Sequence, residues 1–166
     1  MVPWFLVGGG LLALFAASRI RAPLPPELAS LAITSSGLPN TPPPEVWPNL
    51  RRLARFLEGF SARSGPVRIH SGFRSPEVNA AAGGVSSSLH MQGRAVDFSV
   101  PGDPAAVQRI FQEWAAEPFR IAGLIEEAIL YHYQGSAPWI HVGLAPAGLA
   151  PSPRLKRVTR SGGQTV

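Results

Sequence analysis

Hydrophobic positions along the chain follow the two periods that predict helices and strands. Between residues 48 and 64, apolar side chains recur at i, i+3 and i+4, which predicts a helix that Gly65-Pro66 ends. A second helix is predicted from Asp103, as its cap, and Pro104, as its first residue, to about Ala116. The apolar stripes are Leu50, Leu53, Phe56, Leu57 and Phe60 in the first helix and Val107, Ile110, Phe111 and Trp114 in the second.

Alternation of apolar and polar residues predicts short strands between and after these helices. In residues 94–100, alternate side chains are apolar and Asp97 lies on the opposite face. In residues 139–144, the same alternation leaves His141 on the face opposite the apolar residues. If both strands belong to one sheet, Asp97 and His141 point to the same side, away from the core. The predicted strands are 67–71, 94–100, 128–133 and 139–144.

The predicted domain covers residues 48–145, and the first segment before it is strongly apolar. Residues 1–21 contain an uncharged run that would form a helix of roughly 25 Å, slightly short of the bilayer core. This run predicts an uncleaved membrane anchor, with a cleaved signal peptide or a helix buried in an assembly as alternatives. The signal peptide is the poorer match because Arg19 and Arg21 follow the run, whereas a signal peptide has its positive charge first.

Two further segments flank the predicted domain. Proline is frequent in residues 22–47, which predicts a semi-rigid linker. Within it, residues 27–33 can form a helical turn, and a disordered tether is the alternative. Residues 146–166 combine prolines with several basic side chains and predict a flexible basic tail.

Composition limits the chemistry that the chain can carry. At 166 residues the chain has room for one domain plus appendages. It contains no cysteine, which excludes disulfides and a thiolate zinc site. Its net charge of +5 suits an anionic cell wall or membrane surface. Nucleic acid is not an expected partner, because the basic residues are not interleaved with aromatic ones.

His90, Asp97 and His141 are the candidate metal ligands. Two histidines and one carboxylate leave the fourth position of a zinc ion open, which is typical of catalytic rather than structural sites. His90 would reach the site from the loop that precedes the Asp97 strand. The spacing of these residues differs from helical ligand pairs such as HExxH, so the prediction depends on the strands that carry them.

Three segments resemble the M15 family of zinc peptidases: SGFRSPEVNAAAGG, SSSLHMQGRAVDF and PWIHVGL. The family comprises D-Ala-D-Ala carboxypeptidases and L-alanyl-D-glutamate endopeptidases of bacteria and their phages. The resemblance implies that His90, Asp97 and His141 bind one zinc ion. It also implies that Arg74 binds the substrate or stabilises charge on the attacked carbonyl. The implied fold is α+β, with helices flanking a small antiparallel sheet, as in the hedgehog signalling domain.

The activity implied by this resemblance is zinc-dependent hydrolysis of stem-peptide bonds in peptidoglycan. Such an enzyme would be a metallopeptidase of the cell envelope, exported or membrane-anchored, or of a phage particle, with a peptidoglycan peptide as its substrate. The N-terminal run would attach it to a membrane or a larger assembly. The alternative is a zinc-containing wall-binding or structural module that has lost catalysis.

Peptide hydrolysis also requires a residue that moves protons. Many members of the family have a glutamate three residues before the last histidine, where this chain has Pro138. We predict that His132 takes this role, because it titrates near neutral pH and its strand leads towards the last ligand. Glu126 and Glu127 are the alternatives. If His132 faces the core instead, alternation turns Tyr131 towards the metal.

Overall fold

Three α-helices and five strands form within residues 23–150 and 152–160, the residues that the computed structural model describes. The apolar segment expected over residues 1–21 lies outside this range. Among the described helices, none is both long and apolar enough to span a bilayer. The helices are α1 (Trp47–Ser64), α2 (Pro76–Ala81) and α3 (Ala106–Ala116), and the strands are β1 (Arg68–Ser71), β2 (Ala95–Ser99), β3 (Ile125–Tyr133), β4 (Trp139–Leu144) and β5 (Arg154–Arg160).

The strands form one sheet in the order β1-β2-β4-β3-β5. Pairing is antiparallel among the first four strands in this order, as the resemblance implied, whereas β5 pairs with β3 in parallel. The predicted flexible tail is therefore wrong for Arg154–Arg160, which form an edge strand. Although β5 is rich in basic residues, two contacts attach it to the domain. Leu155 packs against the core, and the guanidinium of Arg157 lies over the Phe111 ring. Long basic side chains can cover apolar surface while their charged ends stay in water.

Helices α1 and α3 pack on one face of the sheet, as their apolar stripes predicted. Phe60 of α1 contacts Phe98 of β2 edge-on at a ring-centroid distance of 4.8 Å and Trp114 of α3 at 6.5 Å. The predicted start of α3 is wrong by two residues. The amide of Ala106 donates to the backbone carbonyl of Asp103 in a turn, and the helix begins only after it.

The predicted linker over residues 22–47 is not a separate segment in its described part, residues 23–47. A 3-10 helix forms over Pro26–Ala32, where the sequence allowed a helical turn, and its Leu28 and Leu31 are completely or almost completely buried in the core. The Leu31 carbonyl accepts a hydrogen bond from the Phe73 amide at 2.6 Å. A Cβ at Gly72 would lie 2.3 Å from that carbonyl oxygen, so this approach requires glycine. The folded domain therefore begins well before residue 48.

Candidate active site

Strands β2 and β4 bring two of the candidate ligands together. Asp97 lies directly opposite His141 in the register of this pair, on the sheet face away from α1 and α3. His90 reaches the same point from the loop that precedes β2. The expectation that Asp97 and His141 share a face is confirmed, and all three side chains are buried.

The distances between the three donor groups suit a metal ion. His90 Nε2 lies 3.2 Å from His141 Nδ1 and 3.4 Å from Asp97 Oδ1, and His141 Nδ1 lies 2.8 Å from Asp97 Oδ1. Zinc with ligand bonds of about 2.0–2.1 Å in tetrahedral geometry separates its ligand atoms by roughly 3.3 Å. The group His90, Asp97 and His141 could therefore hold a metal ion with one position open.

Hydrogen bonds orient both histidine rings. His90 Nδ1–H donates to the Gly72 carbonyl at 2.6 Å, which leaves Nε2 to face the other two ligands. On the other ring, His141 Nε2–H donates to Glu127 Oε1 at 3.2 Å and leaves Nδ1 for the site. Such partners on the second ring nitrogen fix the tautomer of a metal-binding histidine.

The charges in the site are strongly coupled. Burial opposes ionisation of Asp97, but hydrogen bonds from His141 and His90 outweigh burial and hold the pKa of this carboxyl well below its ordinary value. Burial also opposes ionisation of His141 and by itself would lower its pKa. Hydrogen bonds to Asp97 and Glu127 outweigh burial and raise the pKa to about 9. Without a metal, the site thus holds a protonated imidazole between two carboxylates.

Arg74, the predicted substrate residue, lies beside the ligands. Its Nη2 donates to Asp97 Oδ2 at 2.7 Å, and its Nε donates to Ser71 Oγ at 2.8 Å. Asp97 thus offers one oxygen to the ligand cluster and the other to Arg74. Because the guanidinium also lines the cleft above the site, it can reach a bound molecule from this position.

Glu127 is the site residue that the sequence left undecided. It lies on the same face of β3 as Ile129, which stands directly opposite His141. Gly143 is the β4 partner of Glu127, and a Cβ there would lie 3.1 Å from Glu127 Cγ and 2.4 Å from Leu89 Cδ1. The glycine therefore makes room for the carboxylate. Two signals in the sequence point to this residue, its alternation with Ile129 and Tyr131 and the glycine two positions after His141.

The expectation that His132 lies beside the ligands is wrong. Its neighbours Tyr131 and Tyr133 line the cleft that contains the ligands, whereas His132 is exposed and accepts a hydrogen bond at Nδ1 from Gln108 Nε2 of α3 at 3.1 Å. Alternation along β3 puts it on the helical side of the sheet with Leu130. Tyr131 faces the site instead, as predicted for the case in which His132 points to the core side.

A second ion-pair cluster lies next to Glu127. The buried Arg94 pairs with Glu126 and donates twice to the Leu144 carbonyl, so Glu126 serves a structural contact. Arg154 of β5 contacts Glu126 at 3.4 Å and Glu127 Oε2 at 3.3 Å. The two glutamates thus differ in role, because only Glu127 touches a candidate ligand.

Metal binding should release a proton from His141 and become tighter as pH rises. The raised pKa keeps His141 protonated at neutral pH in the metal-free protein. The hydrogen bonds of protonated His141 to Asp97 and Glu127 stabilise the fold fully below the ordinary pKa of 6.5. This stabilisation is lost as pH rises through about 9. Because a metal requires the neutral ring, its apparent affinity should rise by about tenfold per pH unit until pH reaches about 9.

Calorimetric zinc titrations in buffers of different ionisation enthalpy would count the protons released. Glu127→Gln serves as the comparison, because it removes one of the two carboxylates that raise the pKa of His141. The pH dependence should therefore move to lower pH in that variant. An affinity that is independent of pH between about 7 and 9 would contradict the assignment of His141 as a ligand.

Comparison with known proteins agrees with this site. A family model described as Peptidase M15 matches residues 27–134, more than half of the chain. The match includes His90, Asp97 and Glu127, while His141 and β5 lie beyond its end. A search of curated proteins finds no match. The chain belongs to the M15 peptidase family.

Proposed function

We propose that the chain is a zinc-dependent peptidase that hydrolyses stem-peptide bonds of peptidoglycan. The observation that carries this proposal is the set of three buried donors within 3.4 Å of one another, with Glu127 in contact with one of them. Membership of the M15 peptidase family supports the reaction class and the kind of substrate. Two histidines and a carboxylate with an open fourth position are the ligand set of catalytic zinc sites.

Three side chains divide the remaining work of hydrolysis. When bound, zinc polarises the scissile carbonyl and lowers the pKa of water. Glu127 would accept the proton of the attacking water at its carboxylate and deliver it to the leaving amine. Arg74 would donate a hydrogen bond to the carbonyl oxygen as negative charge develops there. Burial, and to a smaller extent the charge of Asp97, raises the pKa of Tyr131. Its hydroxyl therefore stays protonated and can serve as a second donor to that carbonyl oxygen.

The alternative function is a wall-binding module without catalysis. It requires that no acid–base residue lies beside the ligands, since Pro138 stands where many family members have a glutamate. Glu127 supplies a carboxylate at hydrogen-bond distance from His141, which removes the reason for preferring that alternative. We therefore assign the acid–base role to Glu127.

Each of the variants His90→Ala, Asp97→Ala and His141→Ala should lose most of its bound zinc and its hydrolysis of purified wall material. Three ligands leave no redundancy, so removal of one opens a second position. Metal content is measured by elemental analysis after desalting, and hydrolysis by zymography with and without chelator. His132→Ala is the matched control, since His132 is exposed, pairs with Gln108 at 3.1 Å and lies outside the ligand group. Full zinc occupancy in all three ligand variants would contradict the site.

We also propose that the protein acts at the cell envelope or in a phage particle, attached through residues 1–21. The full-length chain should then sediment with membranes or with an assembly, because the segment is uncharged over a length close to the bilayer core. A chain that begins at Pro23 should stay soluble, since it keeps Leu28 and Leu31 of the core. Fractionation followed by mass spectrometry of the N-terminus measures both. A soluble, monomeric full-length chain with Met1 intact would contradict attachment.

A further inference from the structure

We propose that this site cuts peptide bonds inside a longer chain, so that the enzyme is an endopeptidase and not a carboxypeptidase. The inference rests on the proposed function and specifies its substrate. The reaction consumes one water: the scissile C–N bond breaks, a C–O bond forms, and one fragment leaves as a carboxylate and the other as an amine. Two features carry the inference, the clefts that flank the ligands and the hydrogen bonds that Arg74 already makes.

Two clefts meet at the ligand cluster from opposite edges of the sheet. The β1-side cleft has a volume of about 510 Å³ and lies between residues 34–36, β1 and the end of α2. The β3-side cleft has a volume of about 750 Å³ and lies over β3 and the first residue of β5. Both clefts are lined by Arg74, Asp97 and Trp139, so they adjoin at the Asp97 side of the ligand group.

The size of both clefts suits a substrate that continues on each side of the scissile bond. Each volume falls within the range of about 300–1,000 Å³ that holds a drug-sized ligand. A carboxypeptidase needs space for only one residue beyond the bond. The β3-side cleft also offers the stacked rings of Tyr131 and Trp139, 4.0 Å apart, as an apolar wall. Either cleft thus holds more than a single terminal alanine.

A terminal carboxylate would also lack a partner in the β1-side cleft. Among the described residues that line it, Arg74 is the only permanent cation. Two nitrogens of its guanidinium already donate hydrogen bonds, Nε to Ser71 and Nη2 to Asp97. It can therefore offer a single donor to a carbonyl oxygen more readily than the paired donors that bind a carboxylate. Apart from the carboxylate of Asp97, the other described residues of this cleft carry hydroxyl, imidazole, indole and small apolar groups, including Ser36, His70 and Ala81, which suit the uncharged groups of a peptide backbone.

The β3-side cleft offers no unpaired cation for a carboxylate either. Its basic residues other than Arg74 and the histidines are Arg94 and Arg154 among those described. Arg94 pairs with Glu126, and Arg154 lies within 3.4 Å of both Glu126 and Glu127. A negatively charged substrate end here would meet two carboxylates that these arginines already neutralise. The arrangement therefore disfavours a terminal carboxylate on this side as well.

The products formed from one muropeptide distinguish endopeptidase from carboxypeptidase cleavage. The probe is a muropeptide whose stem pentapeptide ends in D-Ala-D-Ala and remains attached to its sugar, incubated with the zinc-loaded full chain. Mass spectrometry should find two fragments that are each larger than one amino acid. Free D-alanine as the sole small product would overturn the inference and leave the proposed function intact. No cleavage of this probe or of purified wall material would overturn both.

Occupancy of the β1-side cleft is tested by Ala81→Trp, with Ala80→Trp as the control. Both alanines are exposed on α2, but only Ala81 lines this cleft. Ala81→Trp should lower kcat/KM for the muropeptide at least about tenfold, mainly through KM, because the indole would occupy space that the substrate needs. Ala80→Trp should match the unchanged protein, and zinc content should be equal in all three. Unchanged kcat/KM in Ala81→Trp would overturn the inference.

Discussion

Glu127→Gln should lower kcat for wall-peptide hydrolysis by about 10²–10⁴-fold, the usual contribution of a positioned acid–base residue. Glutamine keeps the size of the side chain and can still accept the hydrogen bond from His141 Nε2, so the ligand ring stays oriented. It cannot take a proton from water. Zinc should therefore remain bound while the chemical step fails, and the loss should appear in kcat more than in KM.

Two matched variants make this experiment specific. Glu126→Gln removes the neighbouring carboxylate, which pairs with Arg94 and does not touch a ligand, so it should affect stability more than kcat. His132→Ala tests the earlier candidate, which is exposed on the helical side of the sheet. Normal kcat in Glu127→Gln, or a large loss of kcat with retained zinc in His132→Ala, would overturn the assignment of the acid–base role.

The ligand group could be predicted because it depends on local periodicity. Alternation within each strand decides which face Asp97 and His141 occupy, and the core side is marked by apolar residues on both strands. The register of β2 and β4 then places the two residues directly opposite each other. Helix α2 carries an equally local signal that the predictions omit, because Ser75 accepts a hydrogen bond from the Val78 amide as its cap and Pro76 follows in the first turn.

The acid–base residue could not be decided in this way because it depends on pairing between strands. A register irregularity between Ile125 and Glu127 in β3 lets Ile125 stay in the core while Glu127 faces the ligands. Strict alternation would have placed both on one face. The same limit applies to β5 and to the buried Leu31, whose positions depend on distant partners that no local period reveals.

Arg74→Lys should lower kcat/KM by about 10²–10³-fold, the effect of losing one donor to a developing oxyanion. The guanidinium is planar and can hold Ser71 and Asp97 through Nε and Nη2 while Nη1 remains as a donor to the substrate. An ammonium group has no such fork, so a lysine that retains the contact to Asp97 cannot also reach a carbonyl oxygen in a fixed geometry. Zinc should stay bound, since all three ligands remain.

Metal content separates this role from a purely structural one. If Arg74 only orients Asp97, Arg74→Lys should lose zinc in proportion to its activity, and added zinc should restore the rate. If Arg74 acts on the substrate, the variant should hold full zinc, and added zinc should not help. Arg68→Lys, an identical exchange at an exposed position of β1, is the control for the general effect of the substitution. An Arg74→Lys variant with full zinc and normal kcat/KM would contradict both roles, because each requires the paired geometry that lysine lacks.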